Sequence, residues 1–245
     1  MSQIFRQTRV VAPEEGDEAG ILRPSMILRY AQDVAGAHCE LLQVTQDALD
    51  EKGIFWAIIR NQLTVDRLPR VGQTVTLETW PMPTTRTCFP RATVCRDEQG
   101  NRLFACHSLW ILMDQQTRAM LLPGKSGVDV PGIMLEDTPP APRSLSPIQE
   151  DAGCLRTVSA ADLDRNGHMN NARYLDWVTE VAPGAKGLKC ATLCYLNEAK
   201  LGQNLQICWK TGGESCLNLD IRRPKEDGEF DRIFSASLEF DQVVM

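Results

Sequence analysis

One stretch of the chain, Asp162-Leu-Asp-Arg-Asn-Gly-His-Met-Asn-Asn-Ala-Arg-Tyr-Leu-Asp-Trp-Val178, gathers acids, amides and an imidazole where a helix is about to begin. Asn170 and Asn171 are good N-cap residues, and Tyr174, Leu175, Trp177, Val178 and Val181 follow with helical spacing. Helix-start N–H groups lack intrahelical partners and carry partial positive charge, so they can hold an oxygen that turns negative during a reaction. His168 and Asp164 are the proton-handling candidates beside them. A polar loop that only caps a helix is the competing reading. Calcium is a second competitor: Asp162, Asp164, Asn166 and Gly167 fit the first, third, fifth and sixth places of an EF-hand loop. The twelfth place needs a bidentate Glu and holds Arg173, and the β-branched run Leu155–Ser159 ahead of it reads as a short strand, not an incoming helix.

The elements that must position these groups repeat along the chain. Val71-Gly-Gln-Thr-Val-Thr-Leu77 matches Leu201-Gly-Gln-Asn-Leu-Gln-Ile207, and Leu103-Phe-Ala-Cys106 matches Ile233-Phe-Ser-Ala236, both at an offset of 130 residues. Two matches at one offset imply duplication of a small domain. In the first copy a helix is predicted from Pro24 to about Val44, with Ile27, Tyr30, Ala31, Val34, Leu41 and Leu42 on its apolar face. Gly36 inside it suggests close packing against something. Strands are predicted at Phe55–Asp66, Thr74–Trp80, Arg91–Asp97 and Arg102–Asp114, the last apolar on both faces. The second copy has a shorter helix, Asn171–Val181, stopped by Pro183-Gly184. Strands follow near Lys189–Leu196, Leu205–Thr211, Leu217–Arg223 and Arg232–Phe240. The prolines between Asp137 and Pro147 cannot join a sheet interior, so domains at 1–136 and 149–245 flank a linker at 137–148. A helix followed by an antiparallel sheet, twice, is an α+β arrangement.

Composition sets the outer limits. The 245 residues, 43% of them hydrophobic, are enough for one large or two small cores. A net charge of −6 argues against a nucleic-acid partner. Nine cysteines without a double Cys-x-x-Cys pattern indicate no zinc site. They point to a reducing, cytoplasmic setting and read as buried strand residues, Cys190 and Cys194 sharing one strand face. With no apolar run of spanning length and no leader-like start, no membrane span is expected. His38 and His107 read as structural histidines.

The chain resembles the acyl-acyl-carrier-protein thioesterase family of plants and bacteria. The resemblance runs over a segment ending Val71-Gly72, a strand ending Thr79-Trp80-Pro81, Gly100, Ser108-Leu-Trp110 before Asp114, and above all Asp164-x-Asn166-x-His168-x-Asn170-Asn171. It implies two tandem hotdog repeats, each a long helix wrapped by an antiparallel sheet. It also implies catalytic roles for Asp164, Asn166 and His168, with a Glu in a Tyr-x-x-Glu setting, here Tyr195-Leu-Asn-Glu198. Plant relatives often carry Cys after that Glu, whereas this chain has Ala199, so water attack replaces a cysteine acyl-enzyme. A Glu at a strand end, read from this chain alone, is a solvated side chain. The first repeat places Leu68 at the position of Glu198, so one complete site is expected.

In the implied mechanism, helix-start N–H groups and Asn166 hold the thioester oxyanion while Glu198 activates water. His168 orients that water or passes the proton to the thiolate, and Asp164 fixes the imidazole and the loop. Exchanging the roles of Glu198 and Asp164 gives an equally acceptable scheme. No metal or cofactor is called for. The implied partner is acyl carrier protein as substrate carrier, with Arg86, Arg91, Arg222, Arg223 and Lys225 as candidate docking charges. Acyl-coenzyme A as donor, or a non-catalytic acyl-thioester-binding role, are the alternatives, and a homodimer is the assembly to test for. The acyl chain is expected in the first repeat, beside Ala31, Ala35, Gly36 and Ala37 of its helix, although these small residues serve close packing equally well.

Overall fold

A computed structural model describes residues 3–149, 153–164, 166–181, 185–212 and 215–243. The chain divides into two compact units, Met1–Pro142 and Arg143–Met245. The predicted stop at Pro183-Gly184 lies outside the described residues.

In the first unit β1 (Phe5–Val10) leads to α1 (Ser25–Leu41) and the short α2 (Gln46–Asp50). The strands β2 (Ile54–Val65), β3 (Thr74–Pro81), β4 (Phe89–Arg96) and β5 (Arg102–Asp114) follow, then β6 (Met120–Leu121) and a single helical turn, α3 (Pro123–Ser126). Neighbours pair antiparallel in the order β1-β3-β4-β5-β2, with β6 on β5. The apolar stripe of α1, including Ile27, Tyr30, Ala31, Val34 and Ala35, is buried. The run Leu103–Ser108 of β5 is buried on both strand faces, as its doubly apolar sequence requires.

Two features of α1 differ from expectation. The helix ends at Leu41 because Gln43 turns left-handed (φ 58°) and Thr45 caps α2, its side chain accepting from the Ala48 N–H. Leu41 is consequently 54% exposed, while Leu42 and Val44 pack with Leu49, Phe89 and Leu112 in a second apolar cluster. Gly36 is exposed, and a Cβ there would meet nothing within 4 Å, so no close approach explains it. β1, α2, β6 and α3 went unanticipated; β1 is polar at most positions and is held by its register with β3.

The second unit contains β7 (Gly153–Thr157), α4 (Asn171–Glu180), β8 (Ala185–Tyr195), β9 (Asn204–Thr211), β10 (Cys216–Pro224) and β11 (Phe230–Val243). Its strands pair antiparallel in the order β8-β11-β10-β9-β7. Tyr174 of α4 stacks on Phe234 of β11 at 4.9 Å, and Tyr195 at the end of β8 lies 5.2 Å from the same ring. The Tyr195 hydroxyl donates to the Asn171 carbonyl, tying the start of α4 to the end of β8. The segment before β7 is held to the sheet by buried polar groups: Asp220 accepts the Ile148 N–H, and Arg222 donates to the Ile148 carbonyl.

The 130-residue repeat is visible in the hydrogen bonding of each unit. In the first, Gly72 (φ 81°) donates to the Val11 carbonyl and Val11 to Gln73, just before β3. In the second, Gly202 (φ 77°) donates to Val158 and Val158 to Gln203, just before β9. Both glycines occupy the left-handed turn that a side chain would strain.

Candidate active site

The acid-rich loop is built by its own side chains. Asp164 Oδ1 accepts the backbone N–H groups of Asn166 (2.8 Å) and His168 (3.2 Å), and the Asp164 N–H donates to the His168 carbonyl. Gly167, at φ 76°, closes the turn by donating to the Asp164 carbonyl. The loop then docks on the segment after β8: Met169 N–H donates to the Ala199 carbonyl, and His168 bridges Lys200. That docking brings the His168 imidazole to Glu198, with Nε2 and Oε2 3.2 Å apart. His168 is half-buried and Glu198 exposed, so the pair borders solvent. Asn166 is exposed on the same loop. Tyr174 lies behind, its oxygen hydrogen-bonded to the Ala199 backbone, with burial as the first cause pushing its hydroxyl well above the ordinary range.

Beneath the loop Asp162 is almost wholly buried. Its Oδ2 accepts from the Ser159 N–H and hydroxyl, while Oδ1 accepts from Arg173 Nε and Nη2 and from Trp177 Nε1. Burial alone would raise this carboxyl; the bonds from Ser159, Arg173 and Trp177 overcome it and hold the group below its ordinary value. The Ser-x-x-Asp spacing at Ser159 is the signal in the sequence that marks Asp162 as a cap, neither a calcium ligand nor a reacting acid of the loop. Among the described residues, no group of three or more His, Cys, Asp or Glu side chains is placed to hold a metal.

The helix start differs from expectation. Asn170 is the N-cap; its side chain takes the Ala172 N–H and its carbonyl takes the Arg173 N–H. Two N–H groups expected for an oxyanion are therefore engaged by the cap itself. The docking charges also change, since Arg91 and Arg222 are buried at 7% and 3% exposure and do not belong to a surface. Arg223 and Lys225 both pair with Asp231, leaving Arg86 exposed. His38 and His107 are buried; His107 Nδ1 donates to the Pro139 carbonyl, and burial lowers its pKa. The cysteines are not uniformly buried strand residues: Cys39 lies on α1 and Cys154 is exposed.

The first unit carries a copy of the same loop scaffold without its chemistry. Glu15 takes the place of Asp162, accepting from the Ala12 N–H and the Tyr30 hydroxyl. Asp17 Oδ1 accepts the N–H groups of Ala19 and Ile21, both at 2.9 Å, as Asp164 does for Asn166 and His168. Leu22 docks on the Pro69 carbonyl and Ile21 bridges Arg70. Ile21 thus occupies the place of His168, and Leu68, one residue before Pro69, that of Glu198.

A repeated hotdog unit with one of its two equivalent loops furnished with an imidazole and a carboxylate defines the class of this molecule. The chain belongs to the acyl-ACP thioesterase family: the model of its N-terminal domain matches residues 2–122 and that of its C-terminal domain residues 146–233. It is 27% identical over 242 residues to a chloroplastic palmitoyl-acyl carrier protein thioesterase of Arabidopsis thaliana, covering 88% of this chain and 57% of that protein. It is 24% identical over 233 residues to a chloroplastic dodecanoyl-[acyl-carrier-protein] hydrolase of Cinnamomum camphora, covering 86% and 60%. The chain thus spans less than two thirds of these curated relatives. An acyl-ACP thioesterase structure from Bacteroides thetaiotaomicron superposes with a TM-score of 0.85 at 21% identity, covering 98% of this chain and 100% of that one. The 12:0-ACP thioesterase from Umbellularia californica gives 0.81 at 21% identity, covering 99% and 98%. These two structures establish the shared fold.

Proposed function

We propose that the protein hydrolyses acyl-acyl-carrier-protein to free fatty acid and carrier protein by water attack on the thioester. The observation that carries this is the His168–Glu198 pair, 3.2 Å apart at the rim of a loop organised by Asp164. Glu198 takes a proton from water as the water oxygen bonds to the carbonyl carbon. The tetrahedral oxyanion is met by the exposed Asn166 amide, in place of the occupied helix-start N–H groups. As the C–S bond breaks, the proton returns through His168 to the departing sulfur. The carboxylate of Asp164, committed to two backbone N–H groups, is assigned to the loop and hence to the imidazole's position. Buried Ala199 beside Glu198 supports water over a thiol nucleophile.

The acyl chain is assigned to the first unit, where Ala31 and Ala35 of α1 face the interior; exposed Gly36 drops out of that lining. Substituting Ala31 or Ala35 by Met should shift the substrate profile to shorter chains, and an unchanged profile in a folded variant removes the assignment. A cytosolic location is supported by the nine free cysteines, and no helix among the described residues is long and apolar enough to cross a membrane. Light scattering on the purified protein decides the homodimer.

Acyl-coenzyme A as donor is the second reading, favoured by the burial of Arg91 and Arg222, which removes two candidate docking charges for an acidic carrier. One experiment separates the readings: steady-state hydrolysis of matched carrier-protein and coenzyme A thioesters by wild type and His168→Ala. A loss of ~10²–10⁴-fold in the variant is expected. Wild type that binds acyl ligands without hydrolysing either donor identifies a binding protein instead.

A further inference from the structure

Arg91 has no place in the proposed chemistry and no acid to answer its charge. It is 7% exposed, yet among the described residues no carboxylate lies within ion-pair distance. Buried Arg222, by contrast, has Asp220. The Arg91 contacts are all neutral: Nη1 donates to His38 Nδ1 at 3.1 Å and Thr79 Oγ1 at 3.3 Å, and Nη2 reaches Cys39 Sγ at 4.0 Å. Since guanidinium cannot accept, His38 Nδ1 must be the acceptor, so the ring is the neutral Nε2–H tautomer and brings no negative charge. Cys39 does not supply one either, because burial pushes its thiol up. On the Nε–Nη2 edge of the guanidinium, the side that grips carboxylates in a fork, the acceptor for Nη2 is the neutral Cys39 sulfur at 4.0 Å, a weak partner for a charged donor.

The surroundings are short of acceptors in the same sense. Arg91 pairs across β4 and β5 with Ser108, and two residues along the same strands Phe89 pairs with Trp110, so all four share one sheet face. The Trp110 indole packs edge-on to that of Trp56 at 6.4 Å, and Trp56 in turn sits 4.9 Å from the Phe89 ring. The indole N–H groups of both tryptophans are buried with no hydrogen-bond partner among the described residues. One cation and two unanswered N–H donors on one half-apolar face lack what an anionic oxygen acceptor would provide.

We infer that the helix-facing side of the first unit's sheet binds a carboxylate, held by Arg91 beside Thr79 and Ser108, with the ligand's hydrocarbon against Phe89, Trp110 and Trp56. The inference rests on the proposed thioesterase reading only for the source of the ligand. A free fatty acid would make this a product site; a carboxyl at the far end of the acyl group would make it a substrate-selecting one.

The test uses the full chain. Binding of dodecanoate and of its methyl ester is measured by calorimetry, together with hydrolysis of a decanoyl thioester and of the matched thioester carrying a terminal carboxyl. The acid should bind at least about tenfold more tightly than the ester, since a fork-type charged contact is lost in the ester. Arg91→Met should erase that difference, Arg91→Lys retain part of it, and Trp110→Phe reduce it while preserving the packing. Preference for dodecanoate alone identifies the product site; higher kcat/KM for the carboxyl-tailed thioester identifies the substrate site. Should Arg91→Met fail to fold, the acid–ester comparison on wild type still decides. Equal binding of acid and ester by wild type, with no preference between the thioesters, overturns the proposal. Hydrolysis of the plain decanoyl thioester is the separate control on the thioesterase reading.

Discussion

At the scale of single residues, the loop divides its two kinds of work between side chains that look alike in sequence. Asp164 and Glu198 are both carboxylates near His168, but Asp164 Oδ1 is spent on two backbone N–H groups and Glu198 meets the imidazole. An Asn at 164 can accept the same two bonds through its amide oxygen, whereas Ala cannot. If Asp164 organises the loop, Asp164→Asn should retain most of kcat while Asp164→Ala loses ~10-fold or more through misplacement of His168. Equal, severe losses in both variants would mean that the negative charge itself is used in the reaction. The scaffold copy around Asp17 agrees with an organising role, because it keeps the carboxylate although Ile21 and Leu68 stand where His168 and Glu198 do in the second unit.

At the scale of elements, the helices owe their placement to buried polar anchors as much as to apolar faces. Asp162 joins the Ser159 turn to Arg173 and Trp177 of α4, so Asp162→Ala strands an indole N–H and a partly buried guanidinium together. The expected cost is about 3 kcal/mol, read as a lowered denaturant midpoint. Because the folded-state pKa of Asp162 is depressed, its contribution is fully present above the unfolded value of about 3.9 and is lost as pH falls through the folded value. Wild type should therefore lose stability as pH falls below about 4 more steeply than Asp162→Ala does; parallel pH profiles would contradict this. Gly36 offers the opposite case. It is exposed in α1 with open space where a Cβ would go, so Gly36→Ala should stabilise by about 1 kcal/mol. A loss of stability there would show that the glycine is needed for something it touches only in a complex.

At the scale of the whole molecule, the nine cysteines provide a check on the chemistry. Burial pushes the Cys95 and Cys106 thiols up to about 12, and raises Cys39, leaving exposed Cys154 as the residue to react first. Brief treatment with iodoacetamide should label Cys154 and leave thioesterase activity intact, as should a chelator. Inactivation that parallels labelling, and is prevented by substrate, would reveal a thiol in the reaction.

What the amino-acid sequence determined by itself was whatever depends on local order. The α4 start is written in Asn170 and the apolar spacing behind it, most strands lie within a few residues of their alternating patterns, and the duplication is carried by Val71–Leu77 and Leu201–Ile207. His168 and Asp164 were legible as proton-handling candidates from the residues themselves, whereas Glu198, the catalytic role of Asn166 and the set of four came from a motif resemblance and rest on it still. Only the tertiary structure decided where side chains point and what they meet. Arg91 and Arg222 carry the same charge as any surface arginine, and nothing in their neighbours along the chain says that they are buried. Asp162 as a hub for Arg173 and Trp177, and the pairing of His168 with Glu198, depend on contacts between groups far apart in the chain. Local propensity cannot encode such contacts, because burial and hydrogen-bond partnership are settled by packing of the whole unit.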